Sequence, residues 1–179
     1  MQTLYRILDW CEANHADVFL QQMWGHVEWN ACPGVHPLLS APRSLDDFAV
    51  GIATLLRHLT VTKKYSCIKY FCITNEPPGG TWGYWWCYGP GSDSVTSAWK
   101  KVRETLDREG IPIPLSGPDW TSLPPFEPVK IDFDAYVGAY DIHSYGGIDY
   151  EGENIIAAWS NWAHTHGKPF FLSEFGNMN

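Results

Sequence analysis

Two spacings of apolar residues alternate along the chain. Leu4, Ile7, Leu8 and Cys11 fall on one helical face over positions 4–12, with Asn14 as the stop, and the run at 18–24 is apolar enough for a buried strand. A loop carrying Pro33, Gly34, Pro37 and Pro42 leads to Ser44, which with Asp47 three residues on has the pattern of a capping box. The helix it opens carries Phe48, Ile52, Leu55, Leu56 and Leu59 on one stripe, and positions 68–74 return to strand. Further on, 95–109 reads as a helix with Trp99, Val102 and Leu106 inward, ended by Gly110. A short strand at 113–116 runs into a loop, Gly117-Pro118-Asp119-Trp120, and a helical turn at 133–137 precedes a strand at 140–143. A helix at 153–166, stopped by Gly167, and a strand at 170–173 complete the pattern.

Strands separated by helical or loop crossovers, with no hairpin signal between them, predict a parallel sheet built from right-handed βαβ units. Several of the strands are apolar on both faces, as buried parallel strands are. The expected fold is α/β, an eight-stranded (β/α)8 barrel of the TIM type that is incomplete here. Such barrels run to about 250 residues, whereas this chain has 179 and about five strands. No repeat or linker divides it, so residues 1–179 are expected to form part of one catalytic domain. A sheet left open has two exposed edges, which is a folding liability.

Composition narrows the partners. A net charge of -8 argues against nucleic acid or an anionic membrane surface, and a neutral ligand is easier to accommodate. No apolar stretch approaches bilayer length, and the start, Met1-Gln2-Thr3-Leu4-Tyr5-Arg6, shows no export signal. Cys11, Cys32, Cys67, Cys72 and Cys87 are odd in number and lack metal-ligand spacing, so they are expected to be reduced packing residues. The 10 Trp, 9 Tyr and 8 Phe exceed what such a core requires. Phe71, Phe170 and Phe171 suit the core, whereas Trp82, Tyr84, Trp85, Trp86 and Tyr88 crowd a segment rich in Gly and Pro and suit the wall of a site.

Two glutamates each close a short apolar run: Ile73-Thr74-Asn75-Glu76-Pro77 and Leu172-Ser173-Glu174-Phe175-Gly176. An acid at the carboxyl end of a buried parallel strand stands where α/β barrels place chemistry. Taken singly, either acid is better read as a solvated loop residue or a cap. Pro77 disfavours the helical region for Glu76 and is expected to hold it extended, and Asn75 beside it can hydrogen-bond a substrate hydroxyl.

Asn75-Glu76-Pro77 at a strand end resembles the acid/base motif after strand four of clan A glycoside hydrolases. Ser173-Glu174-Phe175-Gly176 is similar to the segment that carries the clan's nucleophile on strand seven, and His143-Ser144-Tyr145 resembles the His-x-Tyr ending strand six. In general tone the chain resembles family-five-type cellulases and the xylosidase-like families. The resemblance spans strands three to seven and implies a longer parent barrel. It also implies an arginine near strand two and a tryptophan after strand eight.

The activity implied is retaining hydrolysis of O-glycosidic bonds in β-linked polysaccharide or oligosaccharide, with no cofactor and no metal. Glu174 would attack the anomeric carbon. Glu76, kept protonated by burial and by the nearby negative charge, would protonate the leaving oxygen and then act as base. Asn75 would hold a hydroxyl, Tyr145 would orient Glu174, and His143 would tighten that network. Trp24, His26, Trp82, Trp85, Trp86 and Trp120 are candidate faces for stacking on sugar rings, each with a packing role as its alternative. Two rival readings stay open. One is a carbohydrate-binding module without turnover. The other is a metal-dependent barrel hydrolase liganded by His26, His143, Glu76 and Glu174.

Overall fold

The computed structural model describes residues 2–22, 29–37, 40–77, 92–121, 134–145 and 150–176, with side chains described at all of these but 92–95, 121 and 150–154. Five strands form one parallel sheet in chain order: β1 (Val18–Gln21), β2 (Ile68–Cys72), β3 (Leu115–Thr121), β4 (Ala139–Tyr145) and β5 (Phe170–Gly176). Helix α1 (Gln2–Ala13) precedes them. The crossovers carry α2 (Leu45–Arg57) with a π-helical extension (His58–Thr62), α3 (Ser92–Arg108), a 3₁₀ turn (Asp134–Tyr136) and α4 (Tyr150–Thr165). This is a partial (β/α)8 barrel, as the spacing of apolar residues predicts.

The sheet curls. Phe19 of β1 lies edge-on to Phe171 of β5 with ring centroids 5.7 Å apart, and Tyr70 of β2 meets the same ring at 5.0 Å. In a flat sheet the first and fifth strands would stand about 19 Å apart, four strand spacings. The three rings therefore fill the inside of the curve at its lower end. The outer face packs on the helices: Phe71, Ile73, Leu115, Tyr140 and Ile142 join Phe48, Ile52 and Leu56 of α2, Trp99, Val102 and Leu106 of α3, and Trp159 of α4 in one buried cluster. A second cluster under α1 unites Leu8, Leu59, Tyr65, Cys67 and Ile68.

Local chemistry fixes the element ends. Ser44 caps α2, its hydroxyl accepting from the Asp47 N–H at 3.2 Å. Gly110 and Gly167, at φ 67° and 66°, supply the left-handed turns after α3 and α4. Among the described residues, no helix is long and apolar enough to cross a membrane.

Four expectations need correction. The strand at 68–74 ends at Cys72, so Glu76 stands beyond its tip. Gly117-Pro118-Asp119-Trp120 is strand and not loop, because Gly117, Pro118 and Trp120 register against Tyr140, Asp141 and Ile142 of β4, with the register shifting at Asp119. A Gly-Pro pair reads as a turn from sequence, but here the bare Gly117 admits the Trp99 indole, whose Nε1 donates to Ser116 O at 3.0 Å. Glu76 is not extended: its φ is 49°. A following proline favours extended backbone, but the bond from the Glu76 N–H to Asp119 Oδ2 holds the left-handed conformation here. Finally, Cys32 is disulfide-bonded, while Cys11, Cys67 and Cys72 are free. Spacing alone could not separate these cysteines, because pairing depends on distance in the folded chain.

Two outcomes test this packing. A Cβ built on Gly117 comes 2.8 Å from the fully buried Trp99 ring, so Gly117→Ala should destabilise the fold by about 1–3 kcal/mol in chemical denaturation. At the start of β2, the Glu12 carboxylate accepts from Ser66 Oγ and from the N–H groups of Ser66 and Cys67. The bond from Ser66 leads the causes that lower its pKa from 4.5 to about 2. A depressed carboxyl pKa stabilises the fold above pH 4.5 and loses its effect as pH falls toward 2. Glu12→Gln should therefore lower the melting temperature at pH 7, and the gap from the parent should close between pH 4.5 and pH 2.

Candidate active site

Strand alternation sends Asp141, His143 and Tyr145 of β4 to the inside of the curve, above the Phe19, Tyr70 and Phe171 layer, while Tyr140 and Ile142 face the helices. The strand ends β2, β3 and β5 bring Glu76, Asp119 and Glu174 to the same place. His143 is fully buried at the centre. Its Nδ1 lies 2.9 Å from Glu76 Oε1 and 3.5 Å from Glu174 Oε2, and its Nε2 lies 2.8 Å from Asp119 Oδ1. The Nε2 contact is bent, with the N–H not aimed along the line between the atoms.

An oxygen of Glu76, an oxygen of Glu174 and a ring nitrogen of His143 all lie within 4.8 Å of one another. The two glutamates thus converge on one opening, with side chains 14% and 27% exposed against a histidine at 0%. Tyr145 donates its O–H to Glu174 Oε2 at 2.5 Å. This bond, ahead of burial, raises the phenol pKa to about 12.

Asp119 is the residue that sequence reasoning missed. It is fully buried, and its Oδ2 accepts from the Glu76 N–H at 3.1 Å and from Gln21 Nε2 at 3.0 Å. The Glu76 bond fixes a backbone conformation that costs about 1–3 kcal/mol for a non-glycine residue. Gln21 also donates to Thr74 O at 2.9 Å and reaches Asn75 Oδ1 at 3.5 Å, tying β1 to the Glu76 segment. Behind Asp119, its own N–H donates to Asp141 Oδ1 at 3.2 Å. Burial, then the neighbouring Asp119, pushes the Asp141 pKa well up. An acid following a short strand is the same signal that marks Glu76 and Glu174, and at Asp119 the Gly-Pro pair hid it.

Burial also raises Asp119, to about 6, against the pull of His143. For His143 burial acts downward, but the bonds to Asp119 and Glu76 outweigh it and raise the pKa to about 10. A pKa so raised favours the imidazolium at neutral pH, with Nδ1 bonded to Glu76 and Nε2 facing Asp119 Oδ1 in the bent contact. Of the ligands that the metal reading requires, Glu76, His143 and Glu174 have atoms within 4.8 Å of one another. His26, its other proposed ligand, lies outside the described residues.

The remaining expected contacts divide. Asn75 is buried beside Glu76. Trp120 turns to the helical layer, edge-on to Trp159 of α4 with centroids 6.2 Å apart. Trp24, Trp82, Tyr84, Trp85, Trp86 and Tyr88 lie outside the described residues. If the Glu174 carboxylate is what raises Tyr145, then Glu174→Gln should return its pKa toward 10, read by ¹³C NMR titration of ring-labelled tyrosine.

No family model matches the chain, and no curated protein matches it. Solved structures do. A β-mannanase of glycoside hydrolase family 26 from Bacteroides ovatus superposes with a TM-score of 0.57 at 16% identity, over 74% of this chain and 40% of its own. A family 39 β-xylosidase from Caulobacter crescentus gives 0.60 at 12% identity, over 89% and 36%. A glucosidase from Croceicoccus marinus gives 0.57 at 15%, over 76% and 31%. At these identities the likeness is one of fold. The chain spans between 31% and 40% of the length of these proteins.

Proposed function

We propose that the chain is the site-bearing part of a retaining glycoside hydrolase acting on β-linked polysaccharide or oligosaccharide. The observation that carries this is the approach of Glu76 and Glu174, with oxygens within 4.8 Å, at the open end of a parallel barrel sheet. Retaining enzymes hold their two carboxyl groups about 5–5.5 Å apart, whereas inverting ones need about 6.5–9.5 Å to admit a water. The fold neighbours, a mannanase, a xylosidase and a glucosidase, support the reaction class. The net charge of -8 favours a neutral substrate.

In the first step Glu174 Oε1 attacks the anomeric carbon as the bond to the leaving oxygen breaks. That oxygen takes the proton from Glu76, giving a glycosyl ester on Glu174 and an ionised Glu76. In the second step Glu76 takes a proton from water, the water oxygen bonds to the anomeric carbon, and the ester bond breaks to return the Glu174 carboxylate. Tyr145 holds Oε2 of the nucleophile away from the reaction, and Asn75 bonds a sugar hydroxyl beside Glu76.

A screen of β-glucans, mannans and xylans identifies the substrate. On it, Glu76→Gln should lose about 10²–10⁴-fold in rate, and azide should restore part of the loss by opening the ester. Glu174→Gln should lose at least as much and gain nothing from azide. Unchanged turnover in either variant refutes the assignment, and product of inverted configuration refutes the retaining route.

A further inference from the structure

We infer that the single Nδ1–H of His143, held in place by the buried Asp119, serves as counter-charge to Glu174 and Glu76 in turn, following the negative charge as it moves between them. This rests on the proposed double displacement. In that reaction the site carries one glutamate charge at a time: on Glu174 before attack, on Glu76 while the ester exists, and on Glu174 again after hydrolysis. In this structure Nδ1 is bonded to Glu76 Oε1 at 2.9 Å and stands 3.5 Å from Glu174 Oε2, so a small tilt of one N–H moves it from one carboxylate to the other. No proton leaves the ring in either step.

Such a device must keep its proton, and it needs an anchor that does not itself take part. Asp119 answers both needs. Its Oδ1 faces Nε2 at 2.8 Å, and its Oδ2 is fixed by donors from Gln21 and the Glu76 backbone. A fully buried carboxylate so held cannot rotate to water. Asp119 is therefore a positioning residue, acting on the reaction only through His143 and through the backbone of Glu76.

Among the described residues, the titratable groups facing the ring are Glu76 beyond β2, Asp119 on β3, Tyr145 on its own strand and Glu174 on β5, with Asp141 and Cys72 behind Asp119. Among the described residues no lysine or arginine bonds to any of the four acids. The imidazolium is the one cation of this cluster among the described residues, and it stands between both glutamates.

The test is ¹⁵N NMR of histidine-labelled protein, with the His143 signals assigned by their loss in His143→Gln. At pH 8 both ring nitrogens should carry protons in the parent, in Glu76→Gln and in Glu174→Gln, because one carboxylate remains for Nδ1 in each. In Asp119→Asn the ring should be neutral at that pH. A neutral His143 in the parent, or in Glu76→Gln alone, overturns the proposal whether or not the protein hydrolyses anything, and both measurements stand if Asp119→Asn fails to fold. A second arm measures kcat/KM on aryl glycosides. Asp119→Asn should lose about tenfold or more on activated and on poor leaving groups alike. A loss confined to poor leaving groups would show that His143 serves Glu76 alone, and would overturn the alternation. Absence of any hydrolysis by the parent would refute the proposed function, while the NMR result would still decide the state of the ring.

Discussion

A charged imidazolium with no exposure to water has to be held by its neighbours, and that constraint organises the centre of this molecule. Moving such an ion out of water costs several kcal/mol unless opposite charges and hydrogen bonds replace the lost solvation. His143 finds them in three carboxyl groups from three other strands. The arrangement works only when β2, β3, β4 and β5 end at the same height and on the same side. Removing one acid leaves a buried charge partly unanswered, so the cluster supports the fold as well as its chemistry.

The curl of the sheet makes the convergence possible. Phe19, Tyr70 and Phe171 close the lower interior with ring contacts that reach from the first strand to the last. Directly above them the interior becomes polar, with Asp141, Asp119 and Gln21 leading up to the glutamates. An apolar floor beneath acidic groups keeps water out from below, so their charges are answered from the side and from above. The backbone accommodates this: Glu76 and Asp119 both take positive φ, 49° and 61°, and the two are joined by the bond between the Glu76 N–H and Asp119 Oδ2. Strain of this kind persists where surrounding contacts over-determine a conformation, and it gathers at sites of function.

The similarity to a mannanase, a xylosidase and a glucosidase, at identities of 12% to 16%, is carried by the path of the backbone. Such a fold supports many chemistries, because its sites are assembled from strand ends that can each be changed. The case for glycoside hydrolysis therefore stands on the two glutamates and on what surrounds them. A proposed nucleophile with one oxygen tied to Tyr145, a proposed acid with its backbone tied to Asp119, and a histidine between them form a two-carboxylate site with its supports in place.

Residue spacing alone determined the parallel strands, their helical crossovers and their order, because burial on both faces leaves long apolar runs and helices leave stripes. Glu76 and Glu174 stood out as acids closing apolar runs, whereas His143 and Tyr145 were marked by the resemblance to the His-x-Tyr of clan A glycoside hydrolases. What the tertiary structure alone decided is which groups face each other. Asp119 sat hidden behind Gly117-Pro118, whose turn-like pairing gives no hint that Trp99 fills the space over the glycine. Trp120, next along the chain, turned to the helices because neighbouring strand residues face opposite ways. The raised pKa values of His143 and Asp141 belong to no residue by itself. They arise from burial and distance, which exist only once the strands have come together.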